Sequence, residues 1–386
     1  MIYPIIRKYL YGWLLAFSLL AVSCGQEEEI TEATSNPATP TETGDVILNF
    51  TVAGDLSTRT DLSGSDNVQH VTAVHLYIFD GTGDNSSCLA SEDIGWLAYF
   101  GNHAPTTTAT MRYHVKYTGL VNGSPYTFLA IGLDDRSGST YGLPSTIKVG
   151  TTVLSQAIAT LAGSEASTWT AIRQSELFAG ATILTPNSYG TQGNVDLWRR
   201  VAGVMGWFTN VPTQISGNIV SALRITLYTQ QNKSVPLLQR QQTPVFKDYI
   251  NSPLNASTDG QILIEIPVPS GTTSATVLSK GTYVLPVPAP TPVNTNDYTL
   301  KVEIVNAAGT TLRSTRVTLS DNDDSSTGNG TGIIDPEGVY RFPIVANRFY
   351  GIGTKAVPIN LGANLTRNYI TSKILPHWEM IKEENN

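Results

Sequence analysis

The stretch Val71-Thr-Ala-Val-His-Leu-Tyr-Ile-Phe79 shows the pattern that decides the fold. Its side chains alternate, so that Val74, Leu76 and Ile78 fall on one face and the residues between them fall on the other. The run stops at Asp80-Gly-Thr-Gly, which is a strong turn signal. The stretch is therefore predicted to be a β-strand that ends in a tight turn.

Similar runs recur along the chain at short spacing, and helix signals are few. Strands are predicted at residues 46–52, 109–117, 126–132, 176–184, 195–208, 222–228, 261–268, 298–305, 312–319 and 339–345. The best helix candidate is 153–161. The Pro-rich segment 285–292 is predicted to be a sheet edge or an extended loop, because proline donates no ladder hydrogen bond.

Composition agrees with an all-β chain. Charged residues make up only 14% of the 386 residues, and Thr, Ser, Gly, Tyr and Val are frequent, which favours strands and turns over surface helices. We predict two antiparallel β-sandwich domains in tandem, at residues 45–185 and 194–386, joined by a turn-rich linker at 186–193.

The N-terminus has the layout of a secretory signal peptide. Arg7 and Lys8 precede a short apolar run, and small residues lead to Cys24. Because a cysteine follows the predicted cleavage site directly, the segment resembles a bacterial lipoprotein signal. The resemblance implies a signal peptide at 1–23, a lipidated Cys24 and a polar tether at 24–44. The alternative is a plain signal peptide. The run falls short of the ~20 apolar residues of a transmembrane helix.

Charge and chemistry exclude several classes of function. The formal net charge of −7 argues against nucleic acid as a partner. The five histidines are scattered, and Asp134-Asp135-Arg136 is a weak carboxylate pair predicted to face solvent. The segment 321–332 begins like a calcium loop but lacks its glycine and final glutamate. With Cys24 lipidated, Cys88 is an unpaired thiol. No catalytic residue, metal site or cofactor is predicted.

Several short motifs occur in a telling order. After the lipoprotein signal come the strand at 71–80, Gly123-Ser-Pro-Tyr-Thr-Phe-Leu-Ala-Ile-Gly132, Val195-Asp-Leu-Trp-Arg-Arg-Val-Ala202 and Ala346-Asn-Arg-Phe-Tyr-Gly-Ile-Gly-Thr354. Together they resemble the fimbrillins and fimbrial anchor lipoproteins of Bacteroidetes, the type V pilus subunits. The resemblance implies two transthyretin-like Greek-key sandwiches, strand exchange with other fimbrial subunits, and a surface-exposed place on the outer membrane.

Two segments are candidates for strand exchange. In stalk members of the family an arginine-specific protease removes the first strand, and Arg59-Thr60 is the matching candidate cleavage site here; the alternative is an ordinary loop arginine. The candidate donor strand is at the C-terminus, where Ile370, Ile374, Trp378 and Ile381 supply spaced apolar side chains. That segment is alternatively a resident last strand.

The sequence leaves the role within the fimbria open between an anchor or accessory subunit and a cleaved stalk subunit. An adhesion receptor on a host or bacterial surface is a further candidate partner. A glycan-binding surface lipoprotein is the alternative of another class, and it requires exposed aromatic side chains on one flat face.

Arg199 and Arg200 are neighbours in an apolar strand, so one of them is expected to face inward and to reach an interface or a carboxylate.

Overall fold

Strands carry almost all of the regular structure. The computed structural model describes residues 43–52, 71–103, 109–135, 137–162, 175–228, 232–238, 261–287, 289–290, 298–319, 340–364 and 369–375. Within these residues the helices are one or two turns long, and none could cross a membrane. The prediction of an all-β chain is confirmed. Its division into tandem transthyretin-like domains stays a prediction.

The described residues of the first half contain eight strands and two short helices. The strands are β1 Val46–Val52, β2 Ala73–Asp80, β3 Cys88–Asp93, β4 Thr110–His114, β5 Tyr126–Leu133, β6 Ile158–Thr160, β7 Leu177–Leu184 and β8 Thr191–Arg199; the helices are α1 Trp96–Tyr99 and α2 Ser137–Tyr141. Seven strands form one sheet in the order β3-β2-β5-β7-β8-β1-β4. Every neighbouring pair is antiparallel except β8 and β1.

In the second half, the described residues form twelve strands and one helical turn. They are β9 Ala202–Thr209, β10 Gln214–Ile215, β11 Asn218–Ile219, β12 Ala222–Leu227, β13 Ser234–Pro236, β14 Gln261–Pro267, β15 Leu278–Val284, β16 Leu300–Val305, β17 Thr311–Leu319, β18 Phe349–Ile352, β19 Ile359–Asn360, α3 Leu361–Asn364 and β20 Tyr369–Leu375. The main sheet runs β14-β12-β16-β17-β20-β18-β9-β15, with β19 paired to β9.

The first sheet folds over on itself into a two-layered sandwich. Leu76 and Phe128, from β2 and β5, share one buried cluster with Leu48 and Val195, from β1 and β8. The sheet bends from one layer to the other where β7 meets β8, and Gly180 of β7 allows the backbone of β8 to approach closely there. A Cβ on Gly180 would lie 2.0 Å from the carbonyl oxygen of Asp196. Only glycine fits at this corner.

The two sheets share an apolar core. One buried cluster combines Tyr77 and Leu129 of the first sheet with Trp207, Tyr283 and Phe349 of the second. The small antiparallel pair of β6 and β13 adds a further link between the halves. The halves are thus joined by packing as well as by the chain.

Three local predictions differ from the structure. The helix candidate at 153–161 is wrong: the segment is a 3-10 turn, Leu154–Gln156, followed by β6, because its apolar side chains pack on the shared core. The strand at 339–345 is reduced, in its described part, to a single bridge between Ile344 and Val287. β8 belongs to the first sheet, so the chain passes to the second sheet at Arg200 and Val201, later than the predicted linker.

Arg199 and Arg200, where the chain passes from the first sheet to the second, are both buried, whereas the sequence predicted that one of them would face inward. Arg199 ends β8 and its Nε donates to Glu176 Oε1 at 2.7 Å, while its guanidinium lies 5.0 Å from the Phe178 ring. Arg200 follows in a bend, where strand alternation no longer holds, and its Nε and Nη2 donate to the carbonyl of Pro236 at 3.1 and 2.7 Å. The expected pairing of an arginine with a carboxylate is confirmed.

Asp134 corrects the expectation of a solvent-facing carboxylate. It is 3% exposed and accepts the backbone N–H groups of Ser137 and Glu176 at 2.6 and 2.7 Å. This carboxylate links the backbone just after β5 to the backbone just before β7. Its role is structural, since its contacts satisfy donors that burial would otherwise leave unpaired.

We expect Glu176→Gln to lower the free energy of unfolding by about 3 kcal/mol, because the buried Arg199 cation loses its counter-charge. The matched control is Glu265→Gln, which breaks a pair with Arg224 whose side chains are 46% and 22% exposed and should cost below about 1 kcal/mol. Urea unfolding followed by circular dichroism measures both. Equal losses would contradict the assignment.

Candidate functional site

The first strand lies inside its sheet. β1 runs parallel to β8 over seven residue pairs, from Val46 and Thr191 to Val52 and Leu197. Its other edge runs antiparallel to β4 over five pairs. An inner strand has its backbone donors and acceptors satisfied on both sides. Departure of β1 would leave two unpaired edges facing each other.

The inward side chains of β1 fill the sandwich. Val46 is 4% exposed, and Leu48, Phe50 and Val52 are fully buried. The Phe50 ring meets Tyr113 of β4 edge to face, with ring centroids 6.2 Å apart. The strand therefore occupies a slot with apolar pockets at alternate positions, and a replacement strand would need apolar side chains at that spacing.

The chain is already held where it enters β1. Thr43 Oγ1 donates to the carbonyl of Leu120 at 2.7 Å, and the Gly44 N–H donates to the carbonyl of Asn187 at 3.0 Å. A segment arriving from the N-terminal side is thus fixed to two loops before the ladder begins.

The far edge of β4 is fastened by Glu92 of β3. Glu92 Oε2 accepts the Tyr113 hydroxyl at 2.8 Å and the Lys116 N–H at 3.1 Å, and its Oε1 accepts the Tyr117 N–H at 2.7 Å. Burial, and next the hydrogen bond to the Glu92 carboxylate, raise the pKa of Tyr113 far above its usual value. The phenol therefore stays protonated and keeps donating at physiological pH.

The sequence-predicted processing residues cannot be placed. Cys24 precedes Thr43, the first described residue, and Arg59 and Thr60 fall between Val52 and Val71, outside the described residues. They stay predictions.

The C-terminal candidate strand is resident in this chain's own sheet. β20 runs parallel to β17 and antiparallel to β18, between the two. Ile370 is buried in the second core, and Ser372 Oγ donates to the Gly351 carbonyl at 2.9 Å. Ile374 is paired with Tyr350 through the ladder. Trp378 and Ile381 follow outside the described residues.

Groups suited to catalysis or metal binding do not gather in the part of the chain that is described. No cluster of three His, Cys, Asp or Glu side chains occurs among those residues. Cys88 is buried, and burial raises the pKa of its thiol to about 11. Burial also lowers the pKa of His75, against an opposing effect of Asp93.

Three large aromatic side chains are exposed in the described structure. The large exposed ones are Tyr99 in α1, Tyr189 in the β7–β8 turn and Trp198 on β8. The largest aromatic side chains otherwise fill the cores. A flat stacking surface for a glycan is therefore not supported by these residues.

Comparison with known proteins gives the family. A family model described as fimbrillin-A associated anchor proteins Mfa1 and Mfa2 matches residues 36–354. The chain belongs to this anchor family. The match confirms the resemblance found from the sequence, and it associates the protein with the fimbrium at the cell surface and with a structural role. No curated protein matches the chain.

Solved structures of fimbrial proteins are similar at low identity. A fimbrial assembly protein from Parabacteroides distasonis is 12% identical, with 80% of this chain and 90% of that chain covered and a TM-score of 0.35. The tip fimbrial protein Mfa3 from Porphyromonas gingivalis, with C-terminal truncation, is 11% identical, with 80% and 93% covered and a TM-score of 0.35.

We expect Phe50→Ala to destabilise the protein by about 3–5 kcal/mol, because it leaves a cavity where a fully buried ring packed. Thr51→Ala, on the same strand but only half-buried, is the control and should cost below about 1 kcal/mol. Denaturant midpoints measure the difference. A small effect of Phe50→Ala would contradict tight packing of β1.

Truncation tests whether β20 is resident. A chain that ends after Leu375 keeps every described strand and should unfold at the wild-type midpoint. A chain that ends after Asn368 loses β20, so the ladder edges of β17 and β18 are exposed and the second core is opened. We expect that variant to lose its cooperative thermal transition, as seen by circular dichroism. Equal stability of the two would show that β20 is dispensable.

Proposed function

We propose that the chain is a surface-exposed lipoprotein of the outer membrane that serves as an anchor or accessory subunit of a type V fimbria and supports adhesion. Its partners are other fimbrial subunits, the membrane through the acyl chains on Cys24, and a receptor on a host or bacterial surface. Its role is structural and requires no cofactor. Membership in the anchor family supports this assignment.

The observation that carries the anchor role is the place where a tether would meet the fold. The proposed tether at 24–44 leads directly into β1, an inner strand with neighbours on both sides. A pull along β1 shears the ladders to β8 and β4 together, so many hydrogen bonds must break at nearly the same time. If the pull were perpendicular to the strand, or if the strand lay at a sheet edge, its hydrogen bonds would break one at a time.

The chain cannot both keep its lipid and lose β1, because Cys24 and β1 both precede the candidate cleavage site at Arg59. If the chain stays uncut, β1 remains in place and carries the lipid, and the chain joins the fimbria as a donor through its C-terminal segment. Trp378 and Ile381, which follow β20, could then serve without removal of the resident strand. If an arginine-specific protease cuts after Arg59, the lipid and β1 are lost together.

The stalk role is the second candidate. It is favoured by Arg59 in the segment after β1 and by the apolar pockets that β1 fills. In this form the chain accepts a neighbour's strand between β8 and β4. The incoming strand would restore both ladders and refill the sandwich.

The mass and the N-terminal sequence of the protein from cells distinguish the two roles. We expect a chain that begins at acylated Cys24, that Arg59→Lys leaves unchanged, and that Cys24→Ala releases from the membrane fraction. Each acyl methylene contributes about 0.8 kcal/mol of membrane binding, so several chains hold the protein firmly. A chain that begins at Thr60 would overturn the anchor role and support the stalk role, and an unacylated Cys24 would overturn both.

A further inference from the structure

We propose that Glu92 is the positioning residue that keeps β4 in place and so allows β1 to hold the tether under load. This inference rests on the proposed anchor function. The group formed by Glu92, Tyr113, Lys116 and Tyr117 is called the Glu92 clasp below.

β4 needs such a fastening because of its place in the sheet. Among the described strands it pairs with β1 alone, at the end of the seven-stranded order. A terminal strand with one neighbour is free to leave with that neighbour. If β4 moved with β1, only the ladder to β8 would oppose a pull on the N-terminus.

The Glu92 clasp ties β4 to the opposite end of the same sheet. Glu92 lies on β3, the other terminal strand, at a position paired with Leu76 of β2. Its carboxylate crosses to the β4 side and accepts one hydroxyl and two successive backbone N–H groups. The two ends of the folded sheet are thereby joined, and force on β4 is passed to β3 and β2.

The arrangement requires a carboxylate. The hydroxyl of Tyr113 and the N–H groups of Lys116 and Tyr117 are all donors, and the two oxygens of a carboxylate only accept. A glutamine of the same shape would present an NH₂ group to at least one of these donors. Charge-assisted hydrogen bonds are also stronger than neutral ones.

The second sheet offers a matched control. Glu265 of the terminal strand β14 is half-exposed and pairs with Arg224 on its neighbour β12, with Nε and Oε2 2.7 Å apart. Glu265→Gln therefore makes the same chemical change on a terminal strand, but it does not touch β4.

Amide hydrogen exchange of the full-length mature chain tests the fastening. We expect Glu92→Gln to speed the exchange of the Lys116 and Tyr117 amides and of the β4 and β1 amides about tenfold or more, with β5 and β7 unchanged. Glu265→Gln should leave all of these rates as in the wild type. Unchanged β1 and β4 rates in Glu92→Gln would overturn the proposal.

Single-molecule pulling tests whether Glu92 raises the force that the first sandwich withstands. With a handle on the Cys24 thiol of an unacylated chain that begins at Cys24, and another at the C-terminus, Glu92→Gln should lower the force at which the first sandwich opens. Tyr113→Phe, which removes one of the three hydrogen bonds, should lower it less and provides the test if Glu92→Gln does not fold. Wild-type opening forces in both variants would overturn the proposal. Acylation of Cys24 in cells is measured independently, so failure of the anchor role and failure of the Glu92 clasp are separate results.

Discussion

The first sandwich depends on β1 lying between β8 and β4. With β1 in place the ladders to β8 and to β4 are both formed, and four apolar side chains of β1 lie in the core. Without it the sheet divides into β3-β2-β5-β7-β8 and an isolated β4. An unpaired, apolar-lined gap is a binding site for another extended chain. The same contacts that keep β1 in the sheet would therefore, if β1 were removed, be open to another extended strand.

The pairing of β1 with β8 joins distant parts of the chain. Asn49 and Asn194, whose side chains meet across β1 and β8, are 145 residues apart in the chain. Closing so long a loop costs entropy before the ladder offsets it. β20 has a similar position, inserted parallel to β17 between two existing strands. β1 and β20, the first and last of the described strands, are therefore both inner strands of their sheets.

Buried polar groups mark the passage between the halves. Asp134, Glu176 and Arg199 form a connected set at the end of β5, the start of β7 and the end of β8. Arg200 then binds the Pro236 carbonyl of β13. Such groups are costly to bury unless fully paired, so they favour one geometry at the passage. Together with the shared apolar core, they connect the first sheet to the second.

The sequence by itself determined the strands and the family. β-Branched and aromatic residues predicted β1 at its observed bounds of Val46–Val52, and a continuous apolar run identified the fully buried β5. The order of short motifs indicated the anchor family. These signals are local, because side-chain period and turn residues act over a few positions. Tertiary structure decided which strands are neighbours, that the segment around Ala157 is not a helix, that both Arg199 and Arg200 are buried, and that Glu92 reaches β4. These results depend on contacts between distant parts of the chain, which no local pattern contains.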